Sequence, residues 1–546
     1  MRSAAVPYRA VVTTTLYRGG TVLTPDAPDA TSILVSGDRV AWVGGTDAAD
    51  GLAGAADAVV ELDGALVTPG FVDAHVHTLE SGLALDGVDL AGARGVDDVL
   101  ARVRDAVRGP AGRRAAADGA PLAGSGWDEA LWPEDRPPRR DELDAAGGGA
   151  PVWLGSADRT AAVVSSSFAR VLGLDTLPGW RDDGVVTGEA LRVAWGAVRE
   201  AAEPRRDALE DLALRAAARA GVVAVHEHSA PGSAARRDLA ALLARTAEPG
   251  SGLPQVAGYR AELCETTDDA RDLLEELPGL RGIGGDLAVD GTLRARTAAL
   301  RQPYDDVRGP GDRTGELLLT AEQVSNHVAA VTRAGVQAAF RVTGDRAVAE
   351  VLLGFRAAAE VEGVEALRAA GHRLGRASML DAPALATLVL LGLTVAAEPV
   401  PEAAWGGDDG PAVRRLGSGR AASLQPLADL RAAGVPLAFA SGGPLTPAGP
   451  WAAVRAAVRH RTPDQRIPLA AAVHAHTRGG WLAAGLGDEA TGLLRVGAPA
   501  HLAVWRTDGP GLPALGPQDG DPVCVLTVRA GRVLFDASGG TGRSAA

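Results

Sequence analysis

The sequence predicts an α/β protein built on a parallel sheet, with a smaller all-β unit beside it. Three observations predict this. Helical stretches alternate with apolar strands through the middle of the chain, β-like runs broken by turns cluster at both ends, and 546 residues suit an α/β barrel that carries insertions.

Residues from about 12 to 66 alternate strand-like runs with turns, at 13–17, 21–23, 32–35 and 40–43. Gly37-Asp38 separates the last two and is a hairpin signal. The same texture returns at 500–505 and 528–535, so residues 1–66 and 490–546 are expected to form one composite β-sandwich. From Leu79 to about Trp180 the pattern changes to helices, of which 96–107 is amphipathic, and Pro-rich loops such as 133–138. Trp127, Trp132 and Trp153 are expected to pack together in this subdomain, 80–180.

Beyond it, 205–220 reads as a helix that stops at Gly221 and feeds a strand at 222–225. Thr320 with Gln323 makes a capping-box start, Gly335 stands where a C-terminal cap belongs, and 336–340 follows as a strand. Gly344-Asp345 opens the next helix, through Glu360. The apolar stretch 383–397 is too short to span a bilayer and reads as a helix, a stop at Gly392 and a buried strand.

The formal charge of −14 and pI of about 5.3 oppose a nucleic-acid or acidic-membrane partner, and neither is expected. Cys264 and Cys524 lie far apart, give no disulfide framework, and fit a reducing cytosol. Residues 1–9 lack the apolar segment of a signal peptide, so a cytoplasmic location is the expectation. The chain contains no lysine, all 54 basic residues being Arg. A Schiff-base lysine or a carboxylated lysine bridging two metals is therefore excluded.

The stretch from Val67 to Glu80 carries the strongest chemical signal. A strand leaves the Pro69-Gly70 turn, and within it His75 and His77, two residues apart, share a face. Two imidazoles converging at a strand end can hold a divalent ion at about 2.0–2.1 Å per nitrogen. In barrels, chemistry sits at such strand ends.

Thr68-Pro69-Gly70-Phe71-Val72-Asp73-Ala74-His75-Val76-His77 resembles the opening of the catalytic barrel in the amidohydrolase superfamily. Gly126-Trp127-Asp128, Val225-His226-Glu227, Asp290-Gly291-Thr292, Gly344-Asp345 and the run from His476 to Trp481 are similar, in order, to the branch containing N-substituted formamide deformylases. The resemblance runs from about residue 15 to about residue 535. It implies a TIM-like (β/α)8 barrel over 67–489, with 80–180 inserted after the first barrel strand. It also implies a divalent metal, zinc foremost, and hydrolysis of an amide- or formamide-type C–N bond in a small molecule. Trp127, Asp128, Glu227 and Asp345 are then expected at the pocket, with His75 and His77 as metal ligands.

In families resembling this one, the first strand gives two histidines, the fifth and sixth one each, and the eighth an aspartate. His75 and His77 match the first pair, and the other positions depart. Phe340-Arg341-Val342-Thr343-Gly344-Asp345 stands where relatives read Phe-His-x-x-Gly-Asp. His372-Arg373-Leu374-Gly375-Arg376-Ala377 replaces His-Arg-x-Glu-His-Ala, and Ser441-Gly442-Gly443-Pro444 replaces Ser-Asp-x-Pro. Asp158-Arg159-Thr160 stands where many relatives have Asp-x-His.

Arginine stays protonated and has no lone pair for a metal. The expectation is therefore loss of the usual metal centre and impaired or lost catalysis. Alternatives stay open. One is a working hydrolase with an altered or single-metal site, drawing on His226 and His228. Another is a metal-free pocket in which Arg341 and Arg376, paired with Glu227, Asp73 or Asp345, bind an anionic ligand. A further alternative is association with an active paralogue, and self-association is equally open. His327 and His460 read as solvent-facing.

Overall fold

Eight parallel strands form the centre of the computed structural model, which describes residues 13–232, 234–307, 313–407, 409–487 and 491–538. Residues 1–9, read above for a leader, lie outside the described residues. The strands are β1 (Phe71–Val76), β2 (Val222–Ser229), β3 (Gln255–Arg260), β4 (Gly282–Ala288), β5 (Gln337–Val342), β6 (Arg373–Arg376), β7 (Thr394–Ala397) and β8 (Leu437–Phe439). They pair in sequence order. The ring closes just beyond β8, where the Gly442 amide donates to the His75 carbonyl at 3.0 Å and the His77 amide to the Gly443 carbonyl at 2.9 Å. This is a TIM-like (β/α)8 barrel with additional sheets.

The helices follow their sequence signals. The helices used below are α1 (Thr78–Asp86), α2 (Arg206–Arg219), α3 (Ala321–Arg333) and α4 (Asp345–Glu362). Thr320 caps α3 through its hydroxyl, which accepts from the Gln323 amide at 3.3 Å, while the Gln323 side chain accepts from the Thr320 amide at 3.0 Å. Val324, Val328 and Val331 of α3 pack against Phe340 of β5 and Phe355 of α4 in one apolar cluster. Burying such side chains contributes about 1.5–3 kcal/mol each, the term that holds the helical layer to the sheet. His327 belongs to this layer. It is fully buried, accepts from the Cys264 amide at 3.0 Å and lies 3.1 Å from the Ile283 carbonyl, contrary to the solvent-facing reading, because backbone partners satisfy both ring nitrogens. His460 is also buried, beside the Thr462 carbonyl.

Both ends of the chain meet beside the barrel. Strands Thr14–Arg18, Ser32–Ser36, Arg39–Gly44 and Ala58–Glu61 form one sheet. Thr21–Val22 and Leu66–Pro69 form the other with Leu502–Arg506, Val523–Arg529 and Arg532–Asp536. Ile33, Val35, Leu502 and Val528 share the core between them. A five-stranded sheet between Val88 and Val186 makes up the insertion, and helix Gly188–Ala202 packs against it, so this layer continues past residue 180. Among the described residues, no helix is long and apolar enough to cross a membrane.

Candidate functional site

A cavity of about 400 Å³ opens at the C-terminal ends of the strands, between the barrel and the insertion. His75 and His77 reach it from β1, as their shared strand face requires. Their Nε2 atoms lie 3.4 Å apart. Asp286 comes from β4 and meets both, with Oδ1 3.5 Å from His75 Nε2 and Oδ2 3.3 Å from His77 Nε2. A β-bulge aims Asp286 inward. The β4–β5 register shifts between Gly284 and Leu287, and Gly284 and Gly285 have φ of 123° and 89°. Side chains there would strike the Ala339 carbonyl at 2.0 Å and the His228 ring at 2.2 Å, so only glycine permits this turn.

His228 lies behind His75, with ring centroids 3.9 Å apart and planes inclined by 16°. Both of its ring nitrogens are buried without a hydrogen-bond partner among the described residues. His226 points into the lumen deeper down, its Nδ1 2.7 Å from Arg373. Alternation along β2 turns Glu227 the other way. Its carboxylate accepts from the Thr78 amide at 2.7 Å beneath α1, outside the main cavity.

The other half of the mouth carries guanidiniums. Arg341 lies 3.6 Å from Asp286, Arg376 lies 3.1 Å from Glu398, and Arg159 lies 3.5 Å from Glu80. Arg341 and Arg376 do not pair with Glu227, Asp73 or Asp345; Asp286 and Glu398 are nearer in space and take those places. Gly442 also differs from its reading as a simple loss. Its φ is 65°, and a Cβ there would lie 3.0–3.2 Å from the Glu398 carboxyl group. A carboxylate from beyond β7 thus fills the space over Gly442.

Trp127 and Asp128 lie beside the cavity, not in it. Trp127 is buried in the insertion, donating to the Leu154 carbonyl at 2.8 Å, with Arg294 over its ring at 5.0 Å. Asp128 lines a side chamber. Asp345 starts α4 and accepts from the Arg301 amide at 2.9 Å, away from the cavity. Trp153 and Trp195 line the wall.

Burial lowers the His75 and His228 imidazoles well below their usual range, and lowers His77 with help from Arg159, so all three are uncharged at neutral pH. Burial alone raises the Asp286 carboxyl, but His77, His75, Arg341 and Arg159 outweigh it and hold the group well below the usual carboxylate range.

This donor set fits one divalent cation. A tetrahedral ion with bonds of about 2.0–2.1 Å separates its ligands by about 3.3–3.4 Å. The His75 and His77 Nε2 atoms are 3.4 Å apart, and the Asp286 carboxylate faces them with one oxygen each, Oδ1 3.5 Å from His75 and Oδ2 3.3 Å from His77. By distance, the set in which one donor atom of each residue lies within 4.8 Å of the others is His75, Asp286 and His228. Its stacked ring, however, directs its in-plane lone pairs alongside those of His75, whereas His77 crosses His75 at 73° and converges with it.

A model of the amidohydrolase family matches residues 58–535. A metal-dependent hydrolase of Pyrococcus furiosus superposes with a TM-score of 0.69 at 26% identity, covering 91% of this chain and 100% of that one. N-isopropylammelide isopropylaminohydrolase from Burkholderia multivorans shares the fold at 16% identity and a TM-score of 0.53, over 96% of this chain and 98% of its own. Protein LONG AFTER FAR-RED 3 of Arabidopsis thaliana is 25% identical over 92% of this chain and 88% of its own length. The putative amidohydrolase YtcJ of Bacillus subtilis is 23% identical over 82% and 85%. With its barrel, its paired histidines and a family match over most of its length, the chain belongs to the amidohydrolase family.

Proposed function

We propose that the protein is a hydrolase of an amide- or formamide-type C–N bond, using one divalent cation, zinc foremost, held by His75, His77 and Asp286. The two imidazole nitrogens 3.4 Å apart, each faced by an Asp286 oxygen at 3.3–3.5 Å, carry this reading. A cation there supplies Lewis-acid polarisation of the scissile carbonyl and a lowered water pKa.

The chain's own residues account for the rest. Glu398, 3.1 Å from Arg376 and against the space over Gly442, takes the proton of the attacking water in place of the absent aspartate. Arg341 lines the cavity beside the donors and orients an anionic group on the substrate. Charge balance supports an anionic substrate. Three guanidiniums meet three carboxylates in pairs, so an added dication would leave the cavity positive, which favours a substrate carboxylate.

Metal content after expression with zinc or manganese tests the proposal, together with hydrolysis of N-formyl and N-acyl amino acids. About one ion per chain, lost with activity in the His75→Ala, His77→Ala double variant, is expected. No ion in the parent protein would overturn it.

One observation favours a second reading, a metal-free binder of anions. Arg159 Nη2 lies 3.0 Å from His77 Nε2, where a cation ligand needs its lone pair free, and the paired charges already cancel. Arg159 is 39% exposed in its side chain, so it can swing away from His77 when a cation enters. A metal-free protein that binds a carboxylate through Arg341 would establish the second reading.

A further inference from the structure

The main cavity continues past Asp158, Thr292 and Arg376 into a side chamber of about 110 Å³. Its charge is opposite in character. Asp128, Asp158, Glu398 and Glu402 line it against Arg294 and Arg376. With the bonded neighbours Glu129 and Arg461 included, five carboxylates meet three guanidiniums.

An acidic cluster alone would not make a site, but a second observation points to a ligand. Gln425, 4% exposed, lines the chamber, and its Oε1 is buried with no hydrogen-bond partner among the described residues. Its amide orientation is fixed, because Nε2 donates to the Glu398 carbonyl at 2.9 Å and the reversed amide would set two oxygens against each other. An unsatisfied buried acceptor is costly unless a donor arrives. Gln425 is also held at a φ of 49°, a strained conformation for a side-chain-bearing residue. Trp405 closes one wall, its Nε1 donating to Asp128 at 2.8 Å. Burial raises the Glu402 carboxyl to about 7 against the pull of Arg461, so an incoming cation stabilises its ionised form.

We infer that this chamber binds a small organic cation, the ammonium or amidinium group of a substrate or product amine. Its place in the reaction rests on the hydrolase reading. Hydrolysis of RCONHR′ by water gives RCOO⁻ and R′NH₃⁺, the amine taking the proton that the acid and water release. The anionic product is held near Arg341 and the cationic one near Gln425 and Glu402.

The test is titration of methylguanidinium into metal-stripped protein, followed by ligand-observed NMR. A Kd on the order of 1 mM is expected for a ligand of this size. Gln425→Leu and, separately, Glu402→Gln should each weaken binding about fivefold or more, Arg341→Ala should not weaken it, and tetramethylammonium, lacking N–H donors, should bind at least fivefold less well. No binding overturns the inference, as does binding unchanged in both chamber variants. Glu402→Gln, nearly isosteric, keeps the test valid if Gln425→Leu fails to fold. Stripped protein and the absence of turnover separate this result from the metal measurement, so either proposal can fail alone.

Discussion

The two halves of the barrel mouth offer opposite chemistry on one scaffold. β1, β2 and β4 present His75, His77, His228 and Asp286, groups with lone pairs kept neutral or negative by their surroundings. Arg341 of β5, Arg376 at the end of β6 and Glu398 just past β7 make up the other half, in which every positive group is a donor with no lone pair to give. One half can hold a cation and the other cannot. The difference teaches that one scaffold can set lone pairs, which a cation needs, opposite N–H donors, which an anion needs.

The sharpest way to break the comparison is to remove the first half. Asp286→Asn is expected to reduce zinc or manganese affinity a hundredfold or more, read by competition with a chromogenic chelator, because the only anionic donor of the set is gone. Restoring the family's acid in the second half should fail. Gly442→Asp places a side chain against Glu398 at a φ of 65°, and a loss of about 2–4 kcal/mol in urea unfolding is expected, with no gain in activity. Arg341→Ala should move the two ligands in opposite directions, weakening carboxylate binding about tenfold while tightening the cation severalfold, as calorimetry with each would show. A parallel fall in both affinities would mean that Arg341 is structural.

The smallest effect concerns Glu227, on the outer face of β2. Burial, then Glu80, raises its carboxyl from 4.5 to about 8. Between those values the native form holds a proton that the unfolded chain releases, so stability falls as pH rises from about 4.5 to about 8. Glu227→Gln should flatten that slope by roughly 1–3 kcal/mol across the window, measured by denaturant unfolding at each pH. An unchanged slope would place the titration elsewhere.

Much of the barrel was legible in local patterns. The capping box at Thr320, the stop at Gly392 and the paired histidines each announce their element through short-range chemistry. The same reading located Arg341, Arg376 and Gly442 as departures. It missed Asp286 and Glu398, since both act across the barrel from strands that carry no ligand in the expected pattern. The bulge at Gly284-Gly285, which turns Asp286 inward, did leave a trace, two glycines ahead of an acid inside a strand. Glu398 left none, because its role exists only through contact with the space over Gly442, 44 residues later in the chain. Glu227 was placed at the pocket by likeness alone, whereas alternation along β2, with His226 and His228 inward, decides its direction.

The union of the two chain ends has a consequence for biosynthesis. Leu66–Pro69, which leads directly into the histidine strand, pairs with Leu502–Arg506, and the Gly70 amide donates to the His501 carbonyl at 3.0 Å. Trp505 reaches back to the Thr68 hydroxyl at 2.9 Å. On the ribosome, the stretch that presents His75 and His77 therefore waits for more than 420 residues of later synthesis before its sheet is complete. A nascent chain holds an unfinished mouth until its last strands emerge.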